Sequence, residues 1–177
     1  MRIPDGRVEE CIWSGVQWYG VFQKCIKSVV VKTFTPHSII LVNDGSDKIT
    51  TDYCERLFNS GIVEAYIHNK KAVGFTQSCN QGLQAVESDY YCLLNSDTEI
   101  GTDNWLQKII DVGESDQQIA ILGVLSNNAT CQSIPIKNLD PEAAAKLIEA
   151  LTENKNPPTS LVNGFCYIIK KKIGLLN

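Results

Sequence analysis

The sequence lacks several features that would each point to a familiar chemistry. It holds no C-x-x-C pair, no G-x-G-x-x-G loop, no G-x-x-x-x-G-K-[ST] loop and no apolar run long enough to span a bilayer. The first absence argues against a zinc site. The loop absences remove the usual support for dinucleotide oxidoreductases and P-loop enzymes, and the last leaves no transmembrane segment. Basic residues are not gathered with aromatics, and with a net charge of -4 and a pI near 5.2 the chain offers no basic face for a nucleic acid. Its two histidines, His37 and His68, stand far apart at strand edges, and neither has a Ser or Cys in a nucleophile-elbow setting. Both read as surface residues. The start of the chain, Met1 to Gly6, has no apolar signal-peptide core.

Seven cysteines stand at positions 11, 25, 54, 79, 92, 131 and 166, an odd number without paired spacing. Cys25, Cys79 and Cys92 fall in apolar patterns, where a thiol acts as a small hydrophobe. This reads as a reduced, cytoplasmic chain, with any membrane attachment left to segments outside it. The 177 residues suit a single domain, 1–177, with a substantial core, and a 44% hydrophobic fraction is ordinary for a globular protein.

Short apolar runs rich in β-branched or aromatic residues predict strands at Ser38–Val42, Val63–Ile67, Tyr90–Leu94, Ile119–Leu125 and Ser160–Ile169. Apolar residues at helical spacing alternate with them: Trp18, Phe22, Cys25, Ile26 and Val29; then Phe75, Cys79, Leu83 and Val86; then Leu139, Ala143, Leu147 and Leu151. Asp47 is placed to cap a helix that Gly61 stops. Asp140-Pro141-Glu142 has the cap, first-turn proline and acid of another helix start. Alternation of this kind predicts an α/β fold with a mostly parallel sheet. The basic run Lys170 to Lys172 reads as a solvated strand end, and the tryptophans, Trp105 among them, as packing residues.

In an open parallel sheet, ligands bind beyond the carboxyl ends of the strands. Two polar clusters fall at such ends. In Asn43-Asp44-Gly45-Ser46, Asp44 can accept from a ribose hydroxyl or a base N–H, and Gly45 permits close backbone approach. The same four residues also make good turn chemistry. In Asn95-Ser96-Asp97-Thr98-Glu99, the Asp97 carboxylate can ligate a hard cation such as Mn²⁺ or Mg²⁺, with a diphosphate adding oxygens. Taken alone, this loop better suits a capping turn, in which Asp97 or Thr98 satisfies backbone N–H groups before the next helix. Between them, Gly74 opens a helix whose amides can face an anion, and Asn80 either satisfies buried backbone or touches a ligand.

The order of these clusters resembles the family 2 glycosyltransferases. That pattern runs strand, Asp-Gly-Ser, a Gly…Asn-x-Gly helix, a D-x-D-type loop, then a helix with a tryptophan. Here it reads Asn43-Asp44-Gly45-Ser46, Gly74 to Gly82, Asn95-Ser96-Asp97 and Asn104-Trp105-Leu106. Ser126-Asn127-Asn128-Ala129-Thr130 looks like a segment of one bacterial branch, and Val162-Asn163-Gly164-Phe165-Cys166 like the small-residue strand before the acceptor side. The resemblance implies a GT-A fold, a Rossmann-like sandwich of the nucleotide-diphospho-sugar transferases. It implies a hexosyltransferase-type enzyme that moves sugar from a nucleoside-diphosphate sugar to a saccharide, polysaccharide or other hydroxyl acceptor, with inversion. Asp44, Gly45, Ser46, Gly74, Asn80, Asn95 and Ser96 would then line the donor-nucleotide site. Asp97 would bind the divalent metal, with Asn95 in place of the first acid of D-x-D, and Asn127, Asn128, Asn163 and Gly164 would face sugar or acceptor.

Two departures qualify the match. The stretch Cys11 to Gln17 lacks the family's Pro-x-Tyr-Asn-type turn, and the family's catalytic aspartate follows the region Ile168 to Gly174 in an acidic segment that this chain does not contain. The general base is therefore expected beyond Asn177, with the domain incomplete at that end. A binding or scaffold module of the same fold, for nucleotide-sugar or carbohydrate without catalysis, is the rival reading. A nucleotidyltransferase is less favoured, because Arg7 to Gln17 holds no Gly-rich basic loop.

Overall fold

The structure, a computed structural model, describes residues 8–14 (backbone only), 19–129, 132–134, 136, 139–152 and 156–171. Six strands form one sheet. They are β1 (Val8–Ser14), β2 (His37–Asp44), β3 (Ala65–Asn69), β4 (Tyr90–Asn95), β5 (Ile121–Gly123) and β6 (Cys166–Lys170), in the order β3-β2-β1-β4-β6-β5. The β1–β2, β2–β3 and β1–β4 pairs are parallel, while β6 runs antiparallel to both β4 and β5. The chain steps outward from β1 to β3 and then returns to place β4 on the other side of β1. That reversal makes a switch point between β1 and β4.

Five helices join the strands: α1 (Tyr19–Lys32), α2 (Lys48–Asn59), α3 (Phe75–Ala85), α4 (Trp105–Ser115) and α5 (Pro141–Thr152). Alternate strand residues face opposite ways. Ile39 and Leu41, Cys92 and Leu94, and Cys166 and Ile168 pack with α1 residues Phe22, Cys25, Ile26 and Val29, with Cys54 and Leu57 of α2, and with Trp105 and Leu106 of α4. On the other face, Ile40, Val42 and Leu93 meet Cys79, Phe75 and Leu83 of α3.

The predicted caps are present. Asp47 accepts from the Thr50 N–H at 2.8 Å, Gly61 takes φ +76° past α2, and Asp140 accepts from the Glu142 and Ala143 N–H groups at 3.1 Å. Trp105 is buried and its indole donates to Thr33 Oγ1 at 2.9 Å. The described cysteine side chains are buried thiols. His68 is exposed and His37 half-buried.

Several expectations are corrected. The strand expected over Ser160–Ile169 is confined to Cys166–Lys170, because ladder pairing with β4 begins only at Cys166 and the residues before it form bends and turns. The strand expected over Ile119–Leu125 shrinks to three residues, since β5 pairs on one side only. The one over Val63–Ile67 shifts to Ala65–Asn69. β1, which the alternation did not mark as a strand, is central to the sheet. Lys170 is not solvated: it is 7% exposed, 3.0 Å from the Glu114 carboxylate, and donates to the Gly113 carbonyl at 2.9 Å. Lys171 pairs with Glu87 at 2.6 Å, and Lys172, Trp13 and Trp18 fall outside the described side chains. On α5 the buried residue is Ala144, whereas Leu139, Leu147 and Leu151 are exposed. That helix docks through small groups, for a Cβ at Gly101 would meet the Pro141 carbonyl oxygen at 2.7 Å and Ala145 Cβ at 3.0 Å.

Ile168 is fully buried between β4 and β5. Truncation to Ala should cost about 2–5 kcal/mol, read as a lower urea midpoint with an unchanged slope.

Candidate functional site

Parallel pairing sets the carboxyl ends of β1, β2 and β4 side by side. Trp13 is opposite both Val42 and Asn95, and Ser14 is opposite Asn43. The two polar clusters therefore flank one strand end.

On the β2 side the buried residue is Asp44, 2% exposed. Its carboxylate accepts from the Val73 N–H at 2.8 Å, the Gly74 N–H at 2.9 Å and Asn69 Nδ2 at 3.0 Å. Burial raises the pKa of this group. The Val73 and Gly74 donors, with Asn69 and then Ser78, more than offset that and hold it below the ordinary aspartate value. Asn69 is itself paired with Gln81 through two hydrogen bonds, donating to Gln81 Oε1 at 2.8 Å and accepting from Gln81 Nε2 at 3.2 Å. The anion at the start of α3 is thus the protein's own carboxylate. Asn43 is buried beside it, donating to Thr51 Oγ1 and the Tyr66 hydroxyl and accepting from the Ser46 N–H.

Gly45 has φ +74°, and a Cβ there would lie 2.6 Å from the Ala72 nitrogen. The close approach that glycine permits is made by the chain's own β3–α3 loop. Gly74 also needs its left-handed φ, +94°, but has open space around it.

On the β4 side α1 supports the loop after the strand. Cys25 Sγ donates to the Asn95 carbonyl at 3.6 Å, Ser28 Oγ accepts from the Ile100 N–H at 2.9 Å, and Lys32 pairs with Asp103 at 2.8 Å. Just before β6, the Phe165 carbonyl accepts from the Asn95 N–H at 2.8 Å and from Thr98 Oγ1 at 3.4 Å. This frame presents Asp97 and Glu99 to solvent. Asn95 Oδ1, by contrast, is buried without a hydrogen-bond partner. An orphaned buried acceptor is costly, and a donor or cation reaching it would relieve that cost. Among the described residues no three His, Cys, Asp or Glu side chains converge as a metal cage. Asp97 and Asn95 offer only oxygen donors, which suits a hard divalent cation that takes its remaining ligands from phosphate and water.

The other predicted residues spread along this edge. Antiparallel register sets Cys166 opposite Leu94, and the Asn95 N–H donates to the Phe165 carbonyl, so Asn163 and Gly164 come just before Phe165 at the end of β4. Asn127 and Asn128 are exposed on the loop after β5. Asn80 does not join the Asp44 network. It is exposed and, with Thr76 and Tyr167, borders an apolar groove of about 310 Å³ between α3 and the β4–β6–β5 strands. Its exposure removes the alternative that it satisfies buried backbone. Asn69 and Gln81 were missed by sequence reasoning. The available signal was register, since Asn69 lies opposite Asp44 once β3 is paired with β2.

Comparisons with known proteins bear on this arrangement. Residues 19–173 match the family described as Glycosyl transferase family 2. A glycosyltransferase of Haemophilus influenzae is 27% identical over 113 residues, 64% of this chain and 34% of the relative. Glycosyltransferase GlyG of Streptococcus pneumoniae is 24% identical over 99 residues, 55% of this chain and 33% of the relative. The chain spans about a third of the length of these curated relatives. The mannosyltransferase PcManGT of Pyrobaculum calidifontis, solved in complex with GDP-Man and Mn²⁺, has a similar fold. Its TM-score is 0.68 at 12% identity, over 94% of this chain and 45% of that one. Staphylococcus aureus TarS gives a TM-score of 0.58 at 15% identity, over 76% of this chain and 25% of that one. The fold is GT-A.

Asp44→Asn replaces an acceptor facing two backbone donors, so one buried N–H loses its partner. It should cost about 1–3 kcal/mol at neutral pH. A depressed carboxyl pKa stabilises the fold above the unfolded-state value, and the effect fades as pH falls through the folded-state value. The gap between wild type and variant should therefore be widest above pH ~5 and narrow below pH ~4 in urea titrations.

Proposed function

The chain belongs to glycosyltransferase family 2, and from that membership we propose that its β2–β4 edge holds a nucleoside-diphosphate sugar with Mn²⁺ or Mg²⁺ for inverting transfer to a hydroxyl acceptor. The observation that carries this reading is the buried, unpartnered Asn95 amide oxygen beside the exposed Asp97 carboxylate at the switch point. A donor hydroxyl or a cation answers both groups at once.

In this reading Asp97, with Asn95 where the donor set needs a neutral oxygen, holds the metal. When bound, the cation offsets the charge that builds on the leaving diphosphate. The nucleoside lies toward the β2 side, with Asp44, Gly45, Ser46 and Gly74 forming its wall. Because the Asp44 carboxylate already occupies the start of α3, the diphosphate is assigned to the Asn95–Asp97 side. Ser96 lines the donor nucleotide, and Asn127, Asn128, Asn163 and Gly164 face the sugar or acceptor. Asn80, exposed on α3 beside the groove it borders, is assigned to the rim of the donor pocket. The acceptor is a saccharide, polysaccharide or other hydroxyl compound, and the sugar a hexose. PcManGT, with its GDP-Man and Mn²⁺, supports the metal and the donor class by likeness of fold. No described helix is long and apolar enough to cross a membrane, which fits a donor met in the cytoplasm.

Calorimetry with UDP, GDP and dTDP, each with and without Mn²⁺, tests the reading. At least one nucleotide should bind, about tenfold more tightly with the metal. Asp97→Ala should abolish the metal dependence and leave the melting temperature unchanged. A folded sample that binds none of the three overturns the proposal.

A further inference from the structure

We propose that Gln132 is a positioning residue that ties the Asn127–Asn128 loop and the Asn163–Gly164 segment to the end of β4. The inference rests on reading that edge as a donor-sugar site. Gln132 is half-buried, and its side chain bridges two segments. Its Oε1 accepts from the Asn163 N–H at 2.5 Å. Its amide also packs on β5: a Cβ at Gly123 would lie 2.2 Å from Gln132 Nε2 and 2.9 Å from Val162 Cγ1. Glycine at 123 is thus what leaves room for the amide.

The backbone of Gln132 closes the neighbouring loop. Its carbonyl accepts from the Ser126 N–H at 2.8 Å, the Ser126 carbonyl accepts from the Ile134 N–H at 2.9 Å, and Ser126 Oγ accepts from the Asn128 N–H at 3.0 Å. At the other end of the brace, two residues on from Asn163, the Phe165 carbonyl holds Asn95 and Thr98. A continuous set of bonds therefore runs from the Asn128 loop through Gln132 and the 163–165 segment to the loop that carries Asp97. A ligand that orders the Asp97 loop should then order Asn128 through Gln132.

Amide hydrogen exchange by NMR tests this in two arms. Without ligand, Gln132→Met keeps the side chain's length but removes the acceptor, and should speed exchange at Asn163 about tenfold with the β4 amides unchanged. Gly123→Ala should do the same by displacing the amide, and the double variant should add little to the larger single effect. Gln132→Glu, which keeps an acceptor oxygen, should retain protection. Unchanged exchange at Asn163 in both Gln132→Met and Gly123→Ala overturns the brace.

In the second arm, Mn²⁺ is added with whichever of UDP, GDP or dTDP binds the wild type. Exchange at Asn128 and Asn163 should slow in the wild type and not in Gln132→Met, while nucleotide affinity stays within about threefold. Slowing that persists in Gln132→Met overturns the positioning role. If the wild type binds no nucleotide, the donor-site reading fails, and the coupling through Gln132 is overturned with it, while the first arm still decides whether the brace exists.

Discussion

The site depends on one constraint: β1 pairs in parallel with both β2 and β4. Two parallel ladders on one strand bring three carboxyl ends to the same level, so residues about fifty positions apart, Asp44 and Asn95, flank a common gap. Parallel neighbours require crossover connections, here α1 between β1 and β2 and α2 between β2 and β3, while α3 carries the chain from β3 back to β4 on the other side of β1. The crossovers do more than connect. α1 presents Cys25, Ser28 and Lys32 along one face to the loop after β4, and α3 starts where Asp44 grips it.

The two sides of the gap are built on opposite electrostatic plans. On the β2 side the carboxylate and the two asparagine amides are satisfied, although Ser78 Oγ in the first turn of α3 is buried without a hydrogen-bond partner. Asp44 has three protein donors, and Asn43 and Asn69 are fully engaged by neighbours. A buried carboxylate is tolerated there because the donors hold its charge. On the β4 side the backbone is tied down while the functional groups are left over, Asp97 in solvent and the Asn95 oxygen buried without a donor. A rigid frame with unmet polar capacity is what a ligand site requires. The glycines serve the first plan: Gly45 is needed because the chain's own backbone crosses it at close range.

The sheet is covered unevenly. α1, α2 and α4 fill one face, whereas α3 lies on the other face against β2, β1 and β3. The opposite half of that second face, with Leu93, Tyr167 and Ile169, lines the groove that Asn80 borders. At the far end of β6 from the site, Lys170 is buried against Glu114 and Tyr90. Its charge is balanced by pairing and by the Gly113 carbonyl. The antiparallel β6 therefore runs from the small residues at the site to a buried ion pair below it.

Much of this was legible in the residues. Alternating patterns located β2, β4, α1 and α3, because local periodicity reports which side of an element is buried. Caps at Asp47 and Asp140 and the stop at Gly61 were legible because they act within one helical turn. The order of polar clusters carried the family. Other features were decided only by tertiary contact. β1 holds Glu9 and Glu10 in its span, and its place at the centre of the sheet comes from its two partners. Lys170 is buried because Glu114, on another helix, meets it. Asp44 is satisfied by donors 25 to 30 residues away, and Gln132 finds Asn163 31 residues on. Residue order alone specified which groups could bond and most of the elements that would carry them, because those preferences are local. Which of them found a partner within the fold, and which, like the Asn95 oxygen, did not, was settled by tertiary contact, because hydrogen bonds between distant segments exist only once the strands are in register.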